Sequence, residues 1–130
     1  MIFSPHSIEQ ILAGNKFVTR RRVRAGEPCR YQVGKSYAIQ PGRGKAAVGR
    51  VMVKSVVKER FVGAMCCDEA QHHTATTAFF IQKRNEYLQA EALREGFASW
   101  AELEAAYQQL NGLVSLERHC WRIEFKLEGD

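Results

Sequence analysis

No stretch of this chain approaches the roughly 20 consecutive apolar residues that a membrane-spanning helix requires. The first ten residues, MIFSPHSIEQ, have neither the basic nor the apolar region of an export signal. Cysteine is sparse and unpatterned: Cys29, Cys66, Cys67 and Cys120 include no C-x-x-C pair, and the adjacent two do not suit a disulfide to each other. A G-x-x-x-x-G-K-[ST] phosphate loop is absent, as are internal repeats and low-complexity tracts. Membrane proteins, secreted disulfide scaffolds and P-loop nucleotidases are thereby set aside. The expectation is a soluble, cytoplasmic protein with reduced thiols and no membrane partner.

The 130 residues suffice for a single core, and an apolar share of 45% with 25% charged residues is that of a globular domain. Charge is unevenly spread. Residues 1–60 hold 13 Lys and Arg against 3 Asp and Glu, a balance of +10; residues 61–130 hold 6 against 11, a balance of −5. Such asymmetry points to one basic face and to an anionic partner such as nucleic acid. A basic surface that only keeps the protein soluble is the plain alternative.

Ser7 and the following IEQILAG read as a short amphipathic helix capped by Ser7 and ended at Gly14. FVTRRRV and YAIQ read as strands. VGRVMVKSVV reads as one long strand, or as two parted by a bend or bulge. Residues 79–97 carry helix formers, and Ser99-Trp-Ala-Glu102 is a capping box opening a second helix that Asn111-Gly112 ends, with Glu102 set to bond back to the Ser99 amide. In CWRIEFKL a clean period of two turns Cys120, Arg122, Glu124 and Lys126 away from Trp121, Ile123, Phe125 and Leu127. Early strands, later helices and a returning strand define α+β, the last strand pairing with an early one in a curled sheet or small barrel.

Against that background GNKFVTRRR, residues 14–22, resembles the G-x-K-T-x-T-x-R entry segment of ASCH domains, the PUA-like family named for homology to an activating transcriptional coregulator. QPGRGK at 40–45, VGRVMVKSV at 48–56, EGF at 95–97 before a helix, and WRIEF at 121–125 follow in the family's order and cover most of the chain. The resemblance implies one domain over 1–130. Its expected fold is a small PUA-like mixed β-barrel of about five or six strands with flanking helices, related to RNA-binding domains. Phe17 stands where the family's usual threonine follows the lysine, and residues 62–90 read as a family-atypical insertion.

The family includes small amidohydrolases that remove the acetyl group from N4-acetylcytidine, and their lysine–threonine–glutamate triad falls on Lys16, Thr19 and Glu95. A threonine hydroxyl is a weak nucleophile until a base takes its proton, and lysine serves as that base only in its neutral form. Nearby arginines would favour the neutral form and Glu95 would oppose it, so the sequence leaves the balance open; Glu95 is suited to orienting the lysine or to handling protons for the leaving amine. On a strand, positions 16 and 19 point to opposite faces, and they converge only if Lys16 lies in the turn after the first helix. Thr19 and Arg21 share a face, which suits Arg21 to a substrate carbonyl or oxyanion. Glycines flanking Arg43 let the 41–45 loop approach a ligand, where Arg43 and Lys45 would meet a phosphate or base edge; a plain basic turn fits equally well.

Cys66, Cys67, Asp68, His72 and His73 put five potential ligands within eight residues, yet neither C-x-x-C nor H-x3-H spacing occurs. No metal site and no cofactor is expected there. The functional expectation is a basic cleft for RNA, a nucleoside or a nucleotide, with hydrolysis of the N4-acetylcytidine amide as its chemistry. A non-catalytic RNA-binding module and a ribonuclease are the competing readings.

Overall fold

The computed structural model describes residues 1–60, 77–112 and 119–129. The chain begins with helix α1 (Pro5–Leu12), followed by strands β1 (Val18–Arg22), β2 (Ser36–Ile39) and β3 (Gly49–Arg60). Helices α2 (Thr77–Arg94) and α3 (Trp100–Asn111) precede strand β4 (His119–Leu127). Among the described residues the four strands form one antiparallel sheet in the order β1-β4-β3-β2, a curled half-barrel accompanied by three helices. The returning strand β4 thus pairs with β1 on one side and with β3 on the other.

Among the described residues the strands number four, against the five or six expected. Two further places where the chain runs beside itself make only single bridges, Ile2 with Gln40 and Lys16 with Glu95. The long valine-rich strand is continuous, with a register shift between Val53 and Ser55 that meets the expectation of a bulge. Residues 77–90 of the expected insertion belong to α2, and the rest of it lies outside the described residues.

Two helix starts differ from the sequence reading by small amounts. The cap of α1 is Ser4, whose Oγ accepts the Ser7 N–H at 3.2 Å, and Ser7 lies inside the helix. Pro5 fits the first turn because its fixed φ suits a helix and its missing N–H would have no partner there. Ser99 caps α3 as expected, but Glu102 reaches back to the Ala98 N–H at 3.2 Å, one residue beyond the Ser99 amide.

The sheet separates two cores. On one face Phe3, Ile11, Ile39, Val51, Val53, Ile123 and Phe125 close against α1 and the first residues of the chain. On the other, Cys120 packs with Ala92 of α2 and with Leu103 and Tyr107 of α3. Cys120 is therefore fully buried although its alternation partner Lys126 is exposed. A period of two separates the faces of a strand but does not say whether a second layer covers both.

Candidate active site

The ends of α1 and α2 are built alike, and both deliver a site residue. At the end of α1 the Gly14 N–H donates to the Ile11 carbonyl at 3.0 Å and the Asn15 N–H to the Gln10 carbonyl at 2.9 Å. At the end of α2 the Gly96 N–H donates to the Leu93 carbonyl at 3.0 Å and the Phe97 N–H to the Ala92 carbonyl at 2.9 Å. Each is a Schellman motif closed by a glycine at positive φ, +82° in both. Lys16 follows directly after the first motif, outside β1, and Glu95 is the last residue before the second glycine. The two turns touch: a Cβ on Gly96 would lie 2.9 Å from Gln10 Cβ and 3.2 Å from Lys16 Cβ.

Because Lys16 lies in this turn, its side chain and that of Thr19 reach one space. Lys16, Thr19 and Glu95 all line a cavity of about 450 Å³, with Arg21, Phe97 and Tyr107 among its other walls. All three are buried, at 4%, 5% and 5% exposure. Lys16 Nζ donates to the Glu95 backbone carbonyl at 2.9 Å, stands 3.9 Å from Glu95 Oε1, and lies 5.7 Å from the centre of the Phe97 ring. Among the described residues the Thr19 hydroxyl has no hydrogen bond, to Lys16 or to any other group.

Burial lowers the Lys16 ammonium to about 8; the Glu95 carboxylate resists this, while Arg21 and Arg20 add to it. Among the influences that the sequence left in balance, desolvation is thus the largest. In its neutral form the amine keeps two N–H groups for the Glu95 oxygens and presents a lone pair.

Glu95 is held from behind. Its Oε1 accepts the Arg20 backbone N–H at 3.1 Å, and its Oε2 pairs with Arg20 Nη1. Arg20 Nη2 meets Glu59 at 3.0 Å and Glu91 at 2.6 Å. Glu91, with no exposed surface, also takes Arg94 at 2.8 Å and Arg122 through two hydrogen bonds. Burial alone would raise the Glu91 carboxyl, but the Arg122, Arg94 and Arg20 hydrogen bonds and charge outweigh it and hold it at about 2. Sequence reasoning missed Glu91, Arg20 and Arg122 as one unit. The available signal was Glu91 on the α2 stripe of Leu88, Glu91 and Ala92, continued by Glu95 just past the helix end, a face whose apolar members mark it as buried.

The remaining expected residues divide. Arg21 lines the cavity, donating from Nη2 to the Ile2 carbonyl at 2.9 Å, with its guanidinium 4.9 Å from the Phe3 ring centre. Arg43 and Lys45 are exposed and do not line the cavity, although Pro41 of the same loop does. Phe17 faces a different depression, beside Leu93 and Gly96, so it does not intrude between Lys16 and Thr19. Cys66, Cys67, Asp68, His72 and His73 lie outside the described residues, and among the described residues no cluster is suited to a metal ion. No helix there is long and apolar enough to cross a membrane.

Fold and cavity define a small α+β structure with a lysine-bearing cleft whose walls are largely apolar. No protein-family model matches the chain, and no curated protein does. Among solved structures it is similar to protein EF3133 from Enterococcus faecalis V583, at 12% identity and a TM-score of 0.47, over 98% of this chain and 77% of that one. It is also similar to an ASCH domain from Lactobacillus crispatus JV V101, at 16% identity and a TM-score of 0.47, over 93% of this chain and 69% of that one.

Proposed function

We propose that the cavity binds a modified nucleoside and hydrolyses the amide of an acylated cytosine such as N4-acetylcytidine. The observation that carries this reading is the shared burial of Lys16, held near pKa 8, with the Thr19 hydroxyl in one cavity of about 450 Å³. That volume lies in the range of small-molecule sites. Neutral Lys16 takes the Thr19 proton as Thr19 Oγ attacks the acyl carbon. Arg21 faces the carbonyl oxygen, where negative charge develops. Collapse breaks the C–N bond, and the cytosine amino group leaves with the proton returned by Lys16. Water then attacks the Thr19 ester with Lys16 again as base, freeing acetate. Glu95, engaged by Arg20 on both carboxylate oxygens, serves to position Lys16.

Incubation with N4-acetylcytidine is expected to release cytidine, with loss of about 100-fold or more in Lys16→Met and Thr19→Val. Absence of release, or a Thr19→Val variant as fast as the native chain, would remove the hydrolase.

One observation favours a second reading, a binding module without chemistry. Lys16 Nζ bonds a terminal carbonyl of α2, which is a helix-capping role that needs no substrate. Under this reading cytidine and its N4-acetyl derivative bind alike, and neither is changed.

A further inference from the structure

We propose that the arginine-lined groove beside this cavity is a phosphate subsite, and that the ligand of the two spaces together is a nucleotide in preference to a free nucleoside. The inference rests on the nucleoside reading of the cavity and adds the chemistry of its neighbour. The groove, of about 590 Å³, is walled by Arg21, Arg22, Arg24 and Arg30 with Tyr31 and Trp121. Glu27 is the acidic residue in the same wall.

The state of the arginines separates this wall from the carboxylate layer behind Glu95. Arg20, Arg94 and Arg122 each meet at least one carboxylate. Arg22, Arg24 and Arg30 are exposed, and among the described residues none of them lies in an ion pair. Like charges gathered around a concavity repel one another, and an anion placed among them removes that repulsion. Planar guanidiniums match phosphate oxygens with paired hydrogen bonds.

Continuity supplies the second argument. Arg21, Arg22 and Asn111 line both spaces, so a ligand seated beside Thr19 and extended past Arg21 enters the groove. At that junction Arg21 Nε is buried and has no acceptor among the described residues. No carboxylate among the described residues lies within ion-pair distance of its guanidinium, so the charge where the two spaces meet is left uncompensated. Tyr31, held edge-on by Tyr37 at 5.0 Å between ring centres, and half-buried Trp121 offer flat walls to a sugar or a second base.

The test is calorimetric titration with cytidine, cytidine 3′-monophosphate, cytidine 5′-monophosphate and tetracytidylate at two salt concentrations. The native chain and the Arg24→Gln/Arg30→Gln variant are compared. One of the two monophosphates is expected to bind about tenfold or more tightly than cytidine at low salt, with the margin shrinking as salt rises. In the variant the margin falls below about twofold, while Arg24→Lys/Arg30→Lys retains part of it. The melting temperature holds in both, because the two side chains are exposed. Tetracytidylate binding more tightly than the monophosphate identifies a strand as the source of the phosphate, and equal binding identifies a mononucleotide. Equal affinity for cytidine and both monophosphates, binding of none of them, or a margin that survives in the glutamine variant overturns the subsite. Monophosphate binding without cytidine release from N4-acetylcytidine removes the hydrolase and leaves the subsite. Cytidine release without a phosphate preference does the reverse.

Discussion

Arg20 and Arg21 are neighbours in sequence and lie on opposite faces of β1. Arg20 points toward α2 and is buried where it meets Glu59, Glu91 and Glu95, although it too contributes to the wall of the cavity of about 450 Å³. Burial alone would lower its pKa, but the Glu95 and Glu91 carboxylates more than reverse this, and its charge is locked in. Arg21 points toward the first residues of the chain and has no carboxylate within ion-pair distance among the described residues. Its guanidinium lies over Phe3, donates to the Ile2 carbonyl, and leaves Nε without an acceptor there. Burial lowers its pKa. The difference shows how one residue type serves two ends. Both leave a buried Nε without an acceptor among the described residues, so the difference lies in the carboxylates: a buried charge that meets three of them fixes a helix to a sheet, and one that meets none beside a cavity is available to a ligand.

The sharpest way to break this contrast is to truncate each arginine in turn. Arg20→Ala takes one cationic partner from each of Glu59, Glu91 and Glu95 in a buried layer and is expected to cost about 3–5 kcal/mol in urea unfolding. Equal losses for Arg20→Ala and Arg21→Ala would erase the distinction.

Acid probes the same network through Glu91. Its carboxyl is held at about 2 in the folded chain against an ordinary 4.5, so its contribution is complete above about 4.5 and is lost as pH falls through about 2. Urea midpoints are expected to drop across that window. In Glu91→Gln, less stable at neutral pH, the dependence flattens.

Gly96→Ala asks how tightly the Glu95 turn is set against Lys16. The substitution forces an alanine to φ +82° and drives its Cβ against Gln10, with an expected cost of about 1–3 kcal/mol. Arg21→Ala is expected to be the mildest for stability, about 1 kcal/mol or less by thermal unfolding, because it removes one ring contact and one carbonyl hydrogen bond.

What could be read beforehand follows the range of the interactions. Local signals carried far: Gly14 and Gly96 mark helix ends, Ser99 marks a start, and the alternation of CWRIEFKL marks a strand. Lys16, Thr19 and Glu95 were reachable through a pattern of short segments, and the turn after Gly14 is what lets positions 16 and 19 converge. The Arg20 network was not legible. Glu91 and Arg20 lie 71 residues apart, and their pairing depends on α2 covering the side of β4 that carries Cys120 and Arg122. Alternation in CWRIEFKL set Arg122 apart from the apolar face of β4, and alternation in β1 parted Arg20 from Arg21. That some of these arginines pair with acidic residues of the second half is an expectation the charge balance allows, but only the helical layer shows which. The 41–45 loop illustrates the opposite case. Its glycines and basic residues invite a ligand on local grounds, but Arg43 and Lys45 do not line the cavity.

Hydrolysis in this cavity requires Lys16 to act as a base. Its most direct test is the pH dependence of kcat/KM for cytidine release from N4-acetylcytidine, compared between the native chain and Lys16→Met. With the ammonium held at about 8, the native rate is expected to climb with pH and level off above that value as the neutral amine becomes the main form. Lys16→Met is expected to lose both the rate and the rise. A native rate that ignores pH across this range, or a Lys16→Met variant with the same rising profile, would contradict it.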